Sequence, residues 1–239
     1  MSLAKGVMRK LLSLIKYIVF FFFISTVGIT IIYRFIPPPV TPLMIIRLVE
    51  QTVEGEKLKL YKDWEPIKRI SPNMVQAVVA SEDNNFMKHF GVDFEAIKKA
   101  KELNKKGKVL RGASTISQQT AKNVFLWPHR SWFRKGLEVY FTGLIEIFWG
   151  KQRIMEVYLN VIEMGDGIYG TQAASQMYFN KSASELNKPE AALIAATLPN
   201  PRIYKVSNPS SYIRKKQQRI MRAMNRIEQV HFSSVKNDK

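Results

Sequence analysis

The chain has 239 residues, which is enough for one globular domain and one additional element. It contains no cysteine, so disulfide bonds and thiolate metal sites are excluded. The 37 lysine and arginine residues outnumber the 19 acidic residues, and the net charge of +18 predicts a polyanionic partner: nucleic acid, anionic lipid or a phosphorylated substrate.

The first predicted element is an apolar segment with no charged residue from Tyr17 to Tyr33. As a helix this run is about 26 Å long, close to a hydrocarbon core of about 30 Å, and the flanking cations can extend to the interfaces. We therefore predict a transmembrane anchor at 17–34. A cleaved signal peptide is the alternative, but no small-x-small cleavage site follows the run, and "RFIPPPV" comes instead.

Four cations precede the predicted anchor in a short tail, 1–16; they are Lys5, Arg9, Lys10 and Lys16. Because positively charged flanks stay in the cytoplasm, we predict a single-pass protein of the inner (cytoplasmic) membrane. Its N-terminus is then cytoplasmic and its main domain periplasmic or otherwise extracytoplasmic. We expect no nucleic-acid partner on that side, so the charge indicates membrane lipid head groups or a lipid-linked phosphate.

The rest of the chain divides into a linker that leads into the domain at 35–70, a domain at 71–230 and a flexible tail at 231–239. Ser71-Pro72 is a typical helix start, with a cap residue followed by proline at the first helical position. Apolar residues then recur mostly at helical spacing, and convincing alternating strands are absent. Helices are predicted at 72–84, 92–103, 114–125, 131–148, 151–160, 169–178, 188–197 and 209–229. The predicted fold class is mainly α, with short helices around a cleft.

Glu82 stands at the end of the first predicted helix of the domain. It lies four residues after Val78 and seven after Val75, so it shares their apolar face. A carboxylate in that position loses hydration and becomes a better proton acceptor near neutral pH. A surface acid at a frayed helix end is the alternative, but a solvent-exposed turn does not need the residues that follow, which are Asp83, Phe86, His89 and Gly91.

A second polar segment runs from 111 to 125. Thr115 and Gln118 form a capping box, with Ser114 as an earlier cap, and a helix N-terminus suits an anion. Capping alone does not explain the other polar residues of this segment, which are Gln119, Lys122 and Asn123.

A third segment, 129–141, combines cations with aromatic residues. Arg130, Arg134 and Lys135 form a cationic cluster, and Glu138 follows Arg134 by four residues. An ordinary helical ion pair of about 0.3–0.5 kcal/mol is the alternative for that pair. Interleaved aromatic residues are typical of a segment at a membrane interface, and here they are Trp132, Phe133, Tyr140 and Phe141.

Five segments in a fixed order carry a further pattern: EDNNFMKHFG at 82–91, GASTISQQTAKN at 112–123, RKGLE at 134–138, KQRIMEVYLN at 151–160 and AALIAATLPNP at 191–201. Together they closely resemble the peptidoglycan glycosyltransferases, glycosyltransferase family 51, whose transglycosylase domain also occurs in class A penicillin-binding proteins. The resemblance covers about residues 60–220. Because the sequence stops at 239, we expect the monofunctional, membrane-anchored type. Met155 stands where the family more usually has a branched aliphatic residue. This difference affects packing and not the chemistry.

The resemblance implies a lysozyme-like, bilobed helical domain that polymerises glycan chains. The growing chain on undecaprenyl pyrophosphate is transferred to the 4-hydroxyl of lipid II with inversion. Glu82 is expected to act as general base, and Glu138 is expected to orient the cations. The remaining residues are expected to bind sugar or pyrophosphate: Asp83, Phe86, His89, Ser114, Gln118, Gln119, Lys122, Asn123, Arg130, Arg134 and Lys135.

The family is linked to divalent metals, so Mg²⁺ or Mn²⁺ is the expected cofactor, with Glu82, Asp83 and Glu138 as ligands. The expected partners are lipid II, the nascent glycan chain, membrane lipids and other cell-wall synthesis or division proteins. A second membrane contact is expected at 124–150, through Phe125, Trp127, Trp132, Phe133 and Trp149. Two alternatives stay open: a lytic transglycosylase or muramidase, and a non-catalytic division scaffold.

Overall fold

A computed structural model describes residues 2–105, 114–129 and 131–232. The chain forms two units, 1–37 and 38–239. Arg130, Gly112 and most of the predicted tail at 231–239 lie outside the described residues. Within the described part, ten α-helices account for most of the structure, so the mainly α prediction is confirmed. The division into two lysozyme-like lobes stays a prediction.

The N-terminal unit is one long helix, α1, Ser2–Phe35. Its segment Val7–Phe35 is long and apolar enough to cross a membrane, which is consistent with a single anchor. Large apolar side chains such as Phe20 and Phe21 are exposed along it, at 64% and 72%. The helix begins well before the predicted anchor at 17–34, so the tail at 1–16 is not a separate irregular segment.

The second unit contains nine of the described helices, and the eight predicted ones all occur near their expected places. Their ends differ by up to five residues; the largest difference is at the last helix, which stops at Met224. The bounds are α2 Pro42–Val53, α3 Pro72–Glu82, α4 Phe94–Lys105, α5 Ile116–Phe125, α6 Trp132–Phe148, α7 Gly150–Val161, α8 Thr171–Phe179, α9 Lys188–Thr197 and α10 Ser211–Met224.

Helix α2 lies in the segment 35–70, which was expected to be a linker. Thr41 caps it through its side chain, and Pro42 occupies the first helical position. Leu43 and Met44 are buried and cluster with Tyr169. The linker interpretation is therefore wrong for these residues, because the helix is held by two buried side chains near its start rather than by an extended apolar stripe.

A small sheet was also not predicted. Its strands are β1 at Tyr61–Lys62, β2 at Glu163–Gly165 and β3 at Ile168–Tyr169, in the order β1-β3-β2. β1 pairs parallel to β3, and β2 pairs antiparallel to it. Strands of two or three residues are too short to show the alternation by which strands are recognised in a sequence.

The core of the domain is built around α9, whose apolar residues from 191 to 196 are all buried. Helices α3 and α10 pack on it, and α5 packs between α6 and α7. Two motif residues of α7 hold the segment before α3 in place. Glu156 accepts a hydrogen bond from the backbone N–H of Ile67 at 2.8 Å, and Asn160 bonds both the N–H and the carbonyl of Glu65 at 2.8 Å.

Gly91, the last residue of the 82–91 motif, has a structural role. Its φ is +75°, and a Cβ there would lie 2.6 Å from Thr142 Cγ2 and 3.2 Å from Glu146 Cγ on α6. We expect Gly91→Ala to lower the free energy of unfolding by about 2–4 kcal/mol, because it adds both left-handed backbone strain and overpacking. Urea unfolding in detergent measures this.

The control is Gly136→Ala, because Gly136 lies on α6 itself and nothing lies within 4 Å of a Cβ built there. That change is expected to be neutral or to stabilise by up to about 1 kcal/mol. Equal unfolding midpoints for Gly91→Ala and the wild type would show that the close approach of residue 91 to α6 is absent.

Candidate active site

Glu82 is the last residue of α3 and is partly exposed at the wall of a cleft. The preceding helix face is buried, with Val78 at 0% and Val75 at 6% exposure, so the carboxylate does follow an apolar face as the spacing predicts. Its exposure is intermediate rather than minimal because the helix ends there and the cleft opens beside it.

The cleft consists of three adjoining cavities formed by described residues. The first, about 400 Å³, is lined by Glu82, Gln119 and Lys122 among others. The second, about 510 Å³, shares Gln119 and Lys122 with the first and adds the cationic residues of α6. The third, about 690 Å³, again contains Glu82. Ser114 lines all three. Glu82 therefore lines the first and the third cavity, and the first shares Gln119 and Lys122 with the second.

Gln119 on α5 contacts Glu82 directly. Its side-chain N–H donates a hydrogen bond to the Glu82 carboxylate at 3.0 Å. Its carbonyl oxygen accepts a hydrogen bond from the hydroxyl of Tyr158 on α7 at 3.2 Å. Tyr158 is fully buried, and burial together with the charges of Glu82 and Asp83 raises its pKa well above the usual value. The sequence predicted Gln119 as a site residue, but not Tyr158.

Asp83 joins the turn after α3 to the start of α5. Both of its carboxylate oxygens lie 3.0 Å from His89 Nε2, and Oδ2 also accepts from the backbone N–H of Ile116 at 3.0 Å. An acid at a helix N-terminus interacts favourably with the helix dipole. Asp83 lines the third cavity, but its hydrogen bonds give it a positioning role beside Glu82.

Phe86 and His89 were predicted to bind substrate, and the structure gives them a structural position instead. Phe86 is completely buried, and the Lys151 ammonium lies 4.8 Å from the centre of its ring. The His89 side chain is 9% exposed and is paired with Asp83. Neither residue lines any of the three cavities. In the 82–91 motif, Phe86 and His89 therefore pack the turn after α3, whereas Glu82 faces the cleft.

The predicted capping box at the start of α5 is confirmed. The Thr115 hydroxyl accepts from the N–H of Gln118 at 3.2 Å, and the Gln118 side chain accepts from the N–H of Thr115 at 3.1 Å. Gln118 lines the second cavity, but its carbonyl oxygen is occupied by this cap. Asn123 is buried and lines the first cavity, and its side-chain N–H donates to the backbone carbonyl of Gln119 at 2.8 Å. Ser114 is exposed to the cleft.

The second cavity is lined by a buried ion cluster on α6. Glu138 is 3% exposed; its carboxylate accepts from Arg134 Nη1 at 2.7 Å and from Lys135 Nζ at 2.5 Å. Lys122 lines the same cavity from α5. Glu138 therefore fixes the two α6 cations, as the sequence indicated for an orienting acid. The predicted cation Arg130 lies outside the described residues.

The predicted metal ligands do not fit a shared cation well. Among the residues that the structure describes, no group of three histidine, cysteine or acidic side chains is arranged to hold a metal. The Glu138 carboxylate is bound to Arg134 and Lys135, and the Asp83 carboxylate to His89 and a backbone N–H. A divalent cation would have to displace these partners, and the cofactor stays a prediction.

Lys216 on α10 is a site residue that the sequence analysis missed. Basic residues recur along α10, a pattern typical of a solvated helix face. Lys216 instead lines the third cavity with Glu82 and donates to the carbonyl of Ala196 at 3.0 Å. Burial lowers the pKa of Lys216, while the charge of Glu82 acts in the opposite direction. Its place between Ile213 and Ile220, both buried, was the signal that could have identified it.

The far wall of the first cavity carries another missed group, formed by Arg47, Glu163 and Arg202. Arg47 Nε lies 3.8 Å from the Glu163 carboxylate. Burial raises the pKa of Glu163, and the two arginines oppose that rise. Arg47 belongs to α2, so the linker interpretation of 35–70 prevented its recognition.

Four of the five aromatic residues predicted for a membrane contact fall into two sets, and the fifth, Trp127, is partly exposed and lines the first cavity. Trp132 and Phe133, at the start of α6, are 93% and 73% exposed. Phe125 stacks on Phe141 at 4.4 Å between ring centres, and Trp149 is 6% exposed beside it. The first set is accessible to a membrane surface, whereas the second belongs to the packing of α5 against α6.

The mainly helical domain, the carboxylate at the cleft and the adjoining cationic cavity are what a glycosyltransferase acting on a diphosphate-linked sugar requires, and the comparisons with known proteins show that class. A family model described as Transglycosylase matches residues 50–225. The chain is 55% identical over 219 residues to the biosynthetic peptidoglycan transglycosylase of Bacteroides thetaiotaomicron, covering 92% of this chain and 88% of that protein.

Two further relatives carry the same name. The protein of Bdellovibrio bacteriovorus is 55% identical over 203 residues, covering 85% of this chain and 81% of the relative. That of Haemophilus influenzae is 48% identical over 218 residues, covering 90% and 89%. The chain therefore belongs to the biosynthetic peptidoglycan transglycosylases, glycosyltransferases that polymerise the glycan chains of the cell wall.

Proposed function

We propose that this chain elongates glycan by transferring the growing chain from undecaprenyl pyrophosphate to the 4-hydroxyl of lipid II, with Glu82 as the general base. The observation that carries the proposal is the position of Glu82. It lines both the third cavity and the first, and the first shares Gln119 and Lys122 with the second cavity, which the α6 cations line. An acceptor on one side and a diphosphate on the other are what this transfer requires.

In the proposed step, Glu82 takes the proton of the acceptor hydroxyl as its oxygen bonds to the anomeric carbon of the donor. The bond from that carbon to the diphosphate oxygen breaks, and the leaving group keeps the electron pair. Attack from the side opposite the leaving group inverts the anomeric centre. The Gln119 amide supports this role, because its N–H stabilises the ionised carboxylate that a base needs.

The departing diphosphate gains negative charge, which the cations of the second cavity can stabilise. Lys122, Arg134 and Lys135 line that cavity, and Glu138 holds the last two by hydrogen bonds. Preorganised cations of this kind contribute several kcal/mol to transition-state stabilisation, about 2.7–4 for one donor in a well-studied oxyanion hole. A muramidase or lytic transglycosylase acts on uncharged glycosidic linkages, so this cavity favours synthesis over cleavage.

The experiment that tests the function is a polymerisation assay with purified lipid II, run with and without a phosphoglycolipid inhibitor of the moenomycin type. We expect glycan chains to form, and the inhibitor to abolish them by occupying the cationic cavity. Failure to form any chain from lipid II would contradict the proposal, as would formation insensitive to the inhibitor. If the protein were a non-catalytic division scaffold, no glycan chain would form from lipid II.

The membrane orientation also belongs to the proposal. The cations at 1–16 support a cytoplasmic N-terminus, so that α1 crosses the membrane and residues 38–239 act on the extracytoplasmic side. Lipid II presents its disaccharide at that surface. The polyprenyl chain would remain in the bilayer, since its removal costs about 0.8 kcal/mol per CH₂ group.

A protein lacking residues 1–36 is expected to bind anionic liposomes, because Trp132 and Phe133 provide an apolar contact and the domain is basic. Replacing both residues by serine is expected to weaken binding at least about 10-fold. Cosedimentation with vesicles of anionic and of neutral lipid, at low and high salt, separates the apolar and ionic contributions.

The control variant carries Met177→Ser and Ile203→Ser, which remove two exposed apolar side chains from other elements. It is expected to bind like the unmodified truncated protein. Recovery of the truncated protein wholly in the supernatant at low salt would exclude a second membrane contact.

A further inference from the structure

A fourth cavity adjoins the cleft at the end of α10. It measures about 430 Å³, and three of its lining residues are arginines: Arg219, Arg222 and Arg226. Asn84, in the turn after α3, lines this cavity and also the third cavity, which contains Glu82. The surface of the fourth cavity is therefore continuous with that part of the cleft.

The spacing of residues along α10 connects the same two cavities. Tyr212 and Lys216 line the third cavity, and Arg219 and Ala223 line the fourth. Steps of four, three and four residues place these positions on one face of the helix. At a rise of about 1.5 Å per residue, Lys216 and Arg222 are about 9 Å apart along the helix axis. Cations thus follow one another from the cleft toward the end of α10.

The three arginines have no acidic partner within the part of the chain that the structure describes. Helix α10 contains no acidic residue, and none lines the fourth cavity. The nearest acid along the chain, Glu228, is paired with Lys88 at 3.0 Å. The arginines are exposed, and Arg219 and Arg222 are one helical turn apart, where like charges repel. Their charge is therefore available to an anionic ligand.

We propose that the basic track, defined as Lys216, Arg219, Arg222 and Arg226, binds carboxylate groups of the peptide that lipid II carries on its disaccharide. The inference rests on the proposed function and adds to it how the acceptor is held beyond its sugar. The diphosphate is expected in the second cavity, which the α6 cations line, and this leaves the third cavity and the adjoining track to the acceptor.

The chemistry of the track suits a peptide. Guanidinium groups match the planar geometry of carboxylates and can bind them through two parallel hydrogen bonds. An extended peptide covers about 3.3 Å per residue, so about three residues span the distance from Lys216 to Arg222. A short peptide that leaves the acceptor sugar in the third cavity can therefore place its carboxylates at successive arginines.

A membrane surface is the other source of anionic groups, and the lining of the fourth cavity does not favour it. Its apolar side chains are Ala223 and Ile227, and both are only partly exposed. Segments that bind a bilayer combine cations with apolar side chains that insert. The exposed Trp132 and Phe133 lie on α6, which packs on α5 and α7, whereas α10 packs on α9 and α3.

The test uses the full chain in neutral detergent and two forms of lipid II, one with free peptide carboxylates and one with these groups converted to amides. The variant combines Arg219→Gln and Arg222→Gln. We expect its KM for the free form to rise about 10-fold at unchanged kcat, because two exposed charge pairs are lost and neither arginine touches the reacting atoms. The amide form should raise the KM of the wild type similarly, and the variant should add no further increase.

The matched control combines Arg214→Gln and Lys215→Gln. These residues are also exposed on α10 and carry two positive charges, but they line none of the four cavities. The control should keep the wild-type KM for both forms of lipid II. Thermal unfolding should show that both double variants fold, since all four side chains are exposed. High salt should raise the wild-type KM for the free form toward that for the amide form.

Equal KM values of the wild type for the two forms of lipid II would overturn the inference, and so would an equal KM increase in the control. If added anionic phospholipid activated the wild type but not Arg219→Gln/Arg222→Gln, with equal KM values for the two forms, the arginines would bind lipid head groups and the inference would be wrong. Failure of the proposed function looks different. Absence of glycan from both forms contradicts that function, whereas polymerisation of both with equal KM rejects the basic track alone.

Discussion

Replacing Glu82 by glutamine is expected to lower polymerisation of lipid II about 100- to 10,000-fold, the range that a general base contributes. Glutamine has nearly the same size as glutamate, but its amide cannot accept the proton of the acceptor hydroxyl. The residue is partly exposed at the end of α3, so stability should change by about 0.5 kcal/mol or less. Glycan gel electrophoresis measures turnover, and thermal unfolding in detergent measures stability.

Glu102→Gln is the control for charge, because Glu102 is exposed on α4 and lines none of the three cavities. It should polymerise lipid II at the wild-type rate. Membrane insertion should be unchanged in both variants, since α1 is untouched. Turnover of Glu82→Gln within a few-fold of the wild type would remove Glu82 from the role of base.

Glu138→Gln is expected to reduce both activity and stability. The Glu138 carboxylate is 3% exposed and binds Arg134 at 2.7 Å and Lys135 at 2.5 Å, so neutralising it leaves a buried guanidinium without its counter-charge. Breaking one side of a buried ion pair costs about 3–5 kcal/mol. Turnover should fall about 100-fold or more, because the cations that face the diphosphate lose their fixed positions.

The matched control is Glu95→Gln, which also removes an i,i+4 partner, here Lys99 at 3.3 Å. Both of those side chains are exposed, at 77% and 71%, so the expected loss is below about 0.5 kcal/mol. Urea unfolding and polymerisation rates should separate the two variants clearly. Similar unfolding midpoints for Glu138→Gln and Glu95→Gln would show that the α6 cluster is not buried as described.

Much of the fold could be predicted because helices have recognisable capping residues and a regular spacing of apolar residues in the sequence. Caps such as Ser71 and Thr115 and the recurrence of apolar residues placed eight helices, and the capping box at Thr115–Gln118 is present as expected. Helix α2 was missed because prolines precede it and its packing depends on two residues near its start. The strands were missed because two or three residues carry no alternation.

The site was predicted in part, and the limits have a physical origin. Motif spacing identified Glu82 and the cations of the second cavity, since their residue types carry the chemistry. It could not separate Phe86 and His89, which pack the turn, from residues that face the cleft. It also could not show that the Tyr158 hydroxyl points at Gln119, because helical periodicity gives the buried face and not the direction of a buried polar atom.

Lys216 shows a different limit. Its basic neighbours on α10 suggest a solvated face, and most of them are exposed. Lys216 lies on the boundary between the exposed and the buried face of α10. At such a position the spacing alone does not show whether a side chain faces water or, as here, the third cavity. Sequence spacing rarely resolves a boundary position, whereas the contact with the carbonyl of Ala196 does.

The most direct test of the account compares two substrates and relates the two products of the transfer. Purified enzyme is incubated with lipid II or with finished peptidoglycan, and released polyprenyl diphosphate is quantified against new glycosidic bonds. We predict one diphosphate for each bond formed from lipid II, no solubilised fragments from the finished wall, and neither product from Glu82→Gln. Cleavage of the finished wall, or glycan growth without release of the lipid diphosphate, would contradict a base-assisted transfer in which nearby cations receive the leaving group.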